Sequence, residues 1–187
     1  YLNGISYPLH GLALHEDRKD KGRAISDKDR KDDLDLLKET GLNYLRLSHY
    51  QHGQATYNYC DSTGIIISTE IPLLEQIDNS TAFADNIKDQ LRELIKQNFN
   101  HPSVCFWGLF NELFAKEGPD PTQLGFDLNT LAKTIDNARL TTASSITDGS
   151  TLNFYTDVIS YNRYFGWYYN DVSKIRTFLD SMHRVKP

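Results

Sequence analysis

The chain has little of several things, and each scarcity narrows its class. Among 187 residues there are only two cysteines, Cys60 and Cys105. They stand far apart, with no second pair to make a disulfide framework and no metal-ligand spacing, so both read as small buried hydrophobes. Positive charge is not in excess: 20 Lys and Arg face 25 Asp and Glu, for a net charge of −5. That argues against nucleic acid or an anionic membrane surface as partner. No apolar run approaches the roughly 20 residues that span a bilayer. Linkers, low-complexity tracts and internal repeats are absent, and the composition is that of a folded globular chain. The length suits one domain or part of a larger one. No leader is legible, and a chain that opens on Tyr1 leaves an upstream one open, so the compartment is not fixed.

What is present is a regular alternation of strand-like and helix-like segments. A hairpin-turn pair, Asn3-Gly4, precedes a first strand over Leu9–Leu14. Ser26 and Asp29 form the pattern of a capping box at the start of a first helix, which Gly41 closes. The second strand covers Asn43–Leu47, the second helix Gln54–Thr63 with Gly64 as its stop, and the third strand Ile65–Glu70. Phe83, Ile87, Leu91, Leu94, Ile95 and Phe99 recur at three- and four-residue spacing and predict a third helix. The run Val104–Phe110 carries no charge and predicts a strand buried on both faces. A fourth helix over Thr122–Arg139, a strand over Thr142–Ile146, another over Asp157–Asn162 and a helix over Asp171–His183 complete the series. Strand–helix alternation of this kind predicts a parallel sheet with helical cover.

The chemistry-bearing residues recur at the C-terminal ends of the strands. They are His15 and Glu16, Ser48 and His49, Glu70, Asn111 and Glu112, then Asn162 and Tyr164. In a closed barrel these ends form one rim, where α/β barrels keep their chemistry. Each alone is equally a solvated loop residue; five in succession predict a site. Glu112 stands out, because a carboxylate directly after an apolar strand suits a group held at the barrel mouth.

With those residues the chain resembles the catalytic barrel of glycoside hydrolase family 2, the β-galactosidase and β-glucuronidase group. The most specific matches are Arg46-Leu47-Ser48-His49-Tyr50 and His101-Pro102-Ser103 followed by Trp107 and Asn111-Glu112. Leu2-Asn3-Gly4, His10-Gly11, His15-Glu16-Asp17, Cys60-Asp61, Gly64, Glu70-Ile71-Pro72, Asn100 and Asn162–Tyr168 extend the likeness almost end to end. The resemblance implies an α/β fold, a (β/α)8 TIM barrel with about six of eight units present. It further implies that residues 1–187 are a partial catalytic domain of a larger multidomain enzyme.

The implied activity is hydrolysis of terminal β-glycosidic bonds with retention, on galactosides first and glucuronides next. Glu112 would be the general acid/base. Asn111 would bind the sugar 2-hydroxyl, and His49 and His15 would contact the sugar. Asn162 and Tyr164 would wall the site near the nucleophile, Glu70 would support it, and Trp167 would offer an apolar face to a sugar ring. Trp107 could offer one too, but its place in a core strand makes it structural. Glu16 and Asp17 would orient neighbours or bind a sugar hydroxyl.

A glycosidic oxygen leaves poorly until protonated, so such an acid must hold its proton near neutral pH, a state that burial and a neighbouring carboxylate favour. Retention also needs a second carboxylate about 5 Å away. In this family that nucleophile ends the seventh strand, and Val185-Lys186-Pro187 looks like the entry to it. The expected piece is therefore inactive alone, and its two open sheet edges invite pairing with another copy.

Some members hold magnesium with a Glu and a His beyond strand three. Glu75 matches the Glu but Ile77 stands where the His would be, so no metal is expected. Two other readings of the rim stay open: a non-catalytic sugar-binding or interaction module built on the same barrel and, weaker, a metal-dependent barrel hydrolase.

Overall fold

The computed structural model describes residues 2–114 and 118–185. Six strands form one parallel sheet in the order β1-β2-β3-β4-β5-β6, curled as part of a barrel. They are β1 (Gly11–Leu14), β2 (Tyr44–Leu47), β3 (Ile66–Glu70), β4 (Val104–Asn111), β5 (Leu140–Ser145) and β6 (Val158–Tyr161). The helices are α1 (Asp27–Glu39), α2 (Gln54–Thr63), α3 (Thr81–Asn98), α4 (Thr122–Ile135) and α5 (Lys174–Val185).

Local chemistry sets the boundaries. The Ser26 hydroxyl accepts from the Asp29 N–H while the Asp29 carboxylate accepts from the Ser26 N–H, a complete capping box for α1. Gly64 takes φ +73°, the left-handed turn that ends α2. Asn3 and Gly4 both have positive φ, and Leu2 and Ile5 pair across them.

Between β5 and β6 lies a single 3-10 turn, Thr151–Phe154. Three expectations are corrected. Only Gly11–Leu14 of the first predicted strand pairs in the sheet. Helix α4 stops at Ile135, because Asp136 leaves helical geometry and its carboxylate turns onto Trp107 and Arg139. Val185 closes α5 and so does not open a seventh strand; Lys186 and Pro187 lie outside the described residues.

Pleating divides each strand between two faces. Leu45, Leu47, Ile67, Trp107 and Leu109 are fully buried in one core cluster with Leu34 of α1, Tyr57 and Cys60 of α2, Leu91 and Ile95 of α3 and Leu128 of α4. On the concave face Tyr44 meets Phe106 edge-on at 6.1 Å, and Arg46 bonds Glu70. Gly108 lies against Glu70: a Cβ there would sit 2.4 Å from the Glu70 Cβ. Glycine at this position lets β3 and β4 approach with the Glu70 carboxylate between them. Cys60 is buried, whereas Cys105 is only half-buried.

Candidate active site

The strand ends converge on one hydrogen-bonded series. Arg46, a lone charge in an apolar strand, grips Glu70 with both arms of its guanidinium, Nε to Oε2 and Nη2 to Oε1, each 3.0 Å. Glu70 is buried, and its Oε1 also meets Nδ1 of His49 at 2.6 Å. Arg46 Nη2 donates to Asn111 Oδ1 at 2.8 Å, and Asn162 Nδ2 donates to the same oxygen at 3.0 Å. The Asn111 carbonyl is thus occupied, and its Nδ2 is left as the group to donate outward.

Glu112 stands at the end of this series. Its Oε1 accepts from Asn162 Nδ2 at 2.6 Å, and the Tyr164 hydroxyl lies 3.5 Å away. Burial and the neighbouring Glu112 carboxylate push the Tyr164 phenol above its ordinary pKa, so it stays a proton-bearing donor. The Glu112 backbone has φ +54°, an unusual conformation for a residue with a side chain. Its neighbours hold it there. The Glu112 N–H donates to Ser144 O at 2.7 Å, and the β4–β5 register shifts between Gly108 and Asn111. Asn111 N–H bonds Leu73 O and Asn111 O accepts from Glu75 N–H, pinning the strand end from the other side.

On the far side of Glu70, the His15 and His49 rings meet edge-on at 5.2 Å between centroids. Trp167 stands 79% exposed beyond Tyr164, on a loop whose turn is made by Gly166 at φ +79°. Just past Glu112, Leu113 and Phe114 line an open cavity of about 530 Å³ with Pro121, Ile146 and Leu152.

Comparison with known proteins bears on this arrangement. The whole chain, residues 1–187, matches the family model for glycosyl hydrolases family 2, TIM barrel domain. The chain belongs to glycosyl hydrolase family 2. It is 42% identical to a beta-glucuronidase of Bacteroides fragilis over all of its own length and 28% of that protein. It is 32% identical to a beta-galactosidase of Thermoanaerobacter pseudethanolicus over 94% of the chain and 22% of the relative. Among solved structures, Bacteroides uniformis beta-glucuronidase 2, covalently bound to cyclophellitol-6-carboxylate aziridine, superposes with a TM-score of 0.94 at 32% identity. That match covers 100% of this chain and 24% of the solved one. The chain thus spans about a quarter of the length of these relatives.

In this family 2 barrel, Glu70, His49, Asn111, Asn162, Glu112 and Tyr164 fall in one connected series, with His15 beside His49 and Trp167 outside it. Arg46 stands in the Arg46–Tyr50 motif, but the sequence alone assigns it no task. Its signal was a cation inside an otherwise apolar strand. Arg30, which bonds Glu16 from α1, left no local signal at all. Glu75 lies in a left-handed turn at φ +58°, and Ile77 packs on the apolar core. Among the described residues no group of three His, Cys, Asp or Glu side chains is placed to hold a metal ion.

Proposed function

We propose that this chain is the acid/base half of a retaining β-glycosidase, with Glu112 as the proton donor to the leaving oxygen. One observation carries the reading: a carboxylate in a strained backbone conformation at the end of a buried strand, beside an asparagine whose amide orientation is set by two donors. With its carbonyl engaged, Asn111 is left to donate through Nδ2 to the sugar hydroxyl next to the anomeric carbon. Asn162 and Tyr164 aim one carboxylate oxygen of Glu112, and the other has no donor among the described residues. A group so placed can give its proton to the leaving oxygen and later take one from water.

The attacking carboxylate is assigned to a part of the enzyme outside these residues. Glu70 is a poor alternative, since Arg46 and His49 engage both its oxygens. Its proposed task is to orient His49 toward the sugar. Glu75 with Ile77 in place of a histidine offers one side-chain ligand, too few to specify magnesium, so no step is routed through a metal. Glucuronides and galactosides are both proposed substrates, the former favoured by 42% identity to a glucuronidase. In isolation the 187 residues are proposed to be inactive and to self-associate along β1 and β6. Each of those strands pairs on one side only among the described residues. Sedimentation as a monomer would contradict that.

The deciding experiment replaces Glu112→Gln in the full-length enzyme and compares aryl β-glycosides of good and poor leaving group. Turnover of poor leaving groups should fall by about 10²–10⁴, the worth of a general acid. Activated phenols, which need little protonation, should lose far less. An equal loss on both would remove Glu112 from the acid role.

A further inference from the structure

Behind the two histidines lies a second cluster that no step of the proposed chemistry uses. Glu16 follows His15 in sequence. Its Oε1 accepts from Arg30 Nε at 2.7 Å and from the Gly53 N–H at 2.9 Å, and its Oε2 lies 3.4 Å from Arg30 Nη2. Its backbone N–H donates to the Tyr50 hydroxyl at 3.1 Å, and that hydroxyl sits 3.5 Å from Nδ1 of His15.

The same few residues tie down the loop that carries His49. Tyr50 stacks on His52 at 5.3 Å, and the Arg23 guanidinium covers its ring at 3.9 Å. His52 is buried, its Nε2–H donates to Ser48 O at 3.0 Å, and its Nδ1 faces Glu16 Oε1 at 3.9 Å without a hydrogen bond. The guanidinium packs on Gly53: a Cβ there would lie 2.8 Å from Arg30 Nε, so a side chain at this position would displace it. The β2–α2 loop is therefore closed over the Glu16–Arg30 pair, with β1 on one side and α1 on the other.

We infer that Glu16 and Arg30 are positioning residues that set His15 and His49 against each other at the sugar site. This rests on the glycosidase reading above. Of the two tasks open to Glu16, orienting neighbours or binding a sugar hydroxyl, the geometry selects the first. Its oxygens are already taken and its side chain is only 14% exposed. Arg30 Nε and the Gly53 N–H at the start of α2 share Oε1, and Arg30 Nη2 reaches Oε2, so three donors fix the carboxylate. The carboxylate in turn fixes the residue after His15 and the end of the loop that begins with His49.

The test uses the full-length enzyme. Glu16→Gln should lower kcat/KM on the order of 10- to 100-fold, the scale of a misplacement near 1 Å. The loss should be the same for good and poor leaving groups, unlike that of Glu112→Gln. Arg30→Met should behave alike, and Arg30→Lys should restore part of the activity. Because the clamp acts through the histidines, Glu16→Gln added to a His15→Ala/His49→Ala background should cost less than twofold more. Full additivity would overturn the proposal, as would an unchanged kcat/KM in Glu16→Gln. A crystal structure of Glu16→Gln reads the geometry without activity: the ring separation should depart from 5.2 Å while the strands stay in register. Unmoved rings would overturn the clamp. Wild-type enzyme that cleaves no β-glycoside, together with displaced rings, would overturn only the glycosidase reading. Should Glu16→Gln not fold, Arg30→Met carries the same measurements.

Discussion

At its N-terminal end β4 meets Asp61, His101, Ser103, Asp136 and Arg139; at its C-terminal end it meets Glu70, His49, Asn111 and Glu112. The residue types are nearly the same, but the partners differ. Asp61 takes His101 Nδ1 at 2.6 Å, Ser103 N–H at 3.0 Å and Ser103 Oγ at 2.6 Å. Asp136 takes Trp107 Nε1 and Arg139 Nη1 on one oxygen and the Ala138 and Arg139 N–H groups on the other. Arg139 spends its remaining arms on the Val104 and Phe99 carbonyls. All four carboxylate oxygens there are bonded within the protein, and the result is a staple on backbone. At the other end Glu112 has one aimed oxygen, one without a donor among the described residues and a left-handed backbone. Glu70 at the top is saturated like the acids at the bottom, by Arg46 and His49, so what sets the top apart is the partial satisfaction of Glu112 alone, in keeping with the two faces of a barrel.

The sharpest way to break that division is a pair of substitutions. Asp136→Ala leaves Arg139 and the Trp107 N–H without their carboxylate. It should cost about 3–5 kcal/mol and lower the barrel's unfolding temperature by roughly 10 °C, with kcat per folded molecule unchanged. Glu112→Gly relieves a conformation that disfavours side chains. It should raise stability by about 1 kcal/mol while activity collapses. Calorimetry and steady-state rates on both variants decide it. Loss of stability in Glu112→Gly would place a structural duty at the rim.

Sequence made one end of β4 more legible than the other. Asn111-Glu112 after an apolar run reads equally as a loop pair when taken alone, and it became a site candidate only with the four other polar strand ends in succession. Helix limits were plain where a single residue decides them, as at Gly64 and in the Ser26–Asp29 box. The staples were not legible. Asp61 and His101 are 40 positions apart, and Trp107 and Asp136 are 29 apart. Only the fold brings them together. Asp136 also ended α4 earlier than its apolar spacing suggested, since its carboxylate is worth more on Trp107 and Arg139 than in another helical turn. The connection from β5 to β6 rests on a similar contact. Asn153, fully buried, donates to the Thr147 and Asp148 carbonyls and turns the segment back within a few residues. Arg46 is an intermediate case, visible as a cation in a strand but assignable only once Glu70 and Asn111 lay beside it.

Acid should separate the two ends by degree. Burial alone would raise the Asp61 and Asp136 carboxyls. Ser103 and His101 at the first, and Arg139 and Trp107 at the second, hold both below the ordinary carboxylate value. Groups depressed in the folded state contribute stability that is full above their unfolded pKa, about 4, and is lost as pH falls through the folded value. His52 is held down chiefly by burial, so its cost begins earlier, as pH falls below about 6.5 and the unfolded chain takes up its proton. Unfolding temperature should thus be level above pH 7, decline gently toward pH 5 and fall steeply below 4. His52→Gln should remove the gentle phase and leave the steep one. A single transition common to both proteins would deny His52 that part.

The smallest effect expected is at Trp167, and it tests how far the rim extends. The indole is 79% exposed and meets Tyr168 edge-on at 6.2 Å, so its removal takes almost nothing from the fold. Trp167→Ala should leave unfolding free energy within about 0.5 kcal/mol of wild type. If the indole stacks on a sugar ring, the loss should be about 0.5–1.5 kcal/mol of binding, a rise in KM between twofold and tenfold with kcat unchanged. That split matters more than its size. A fall in kcat would mean that the loop from Tyr164 to Asn170 steers Glu112 through Tyr164. An unchanged KM would confine the sugar site to the series running from His15 to Tyr164.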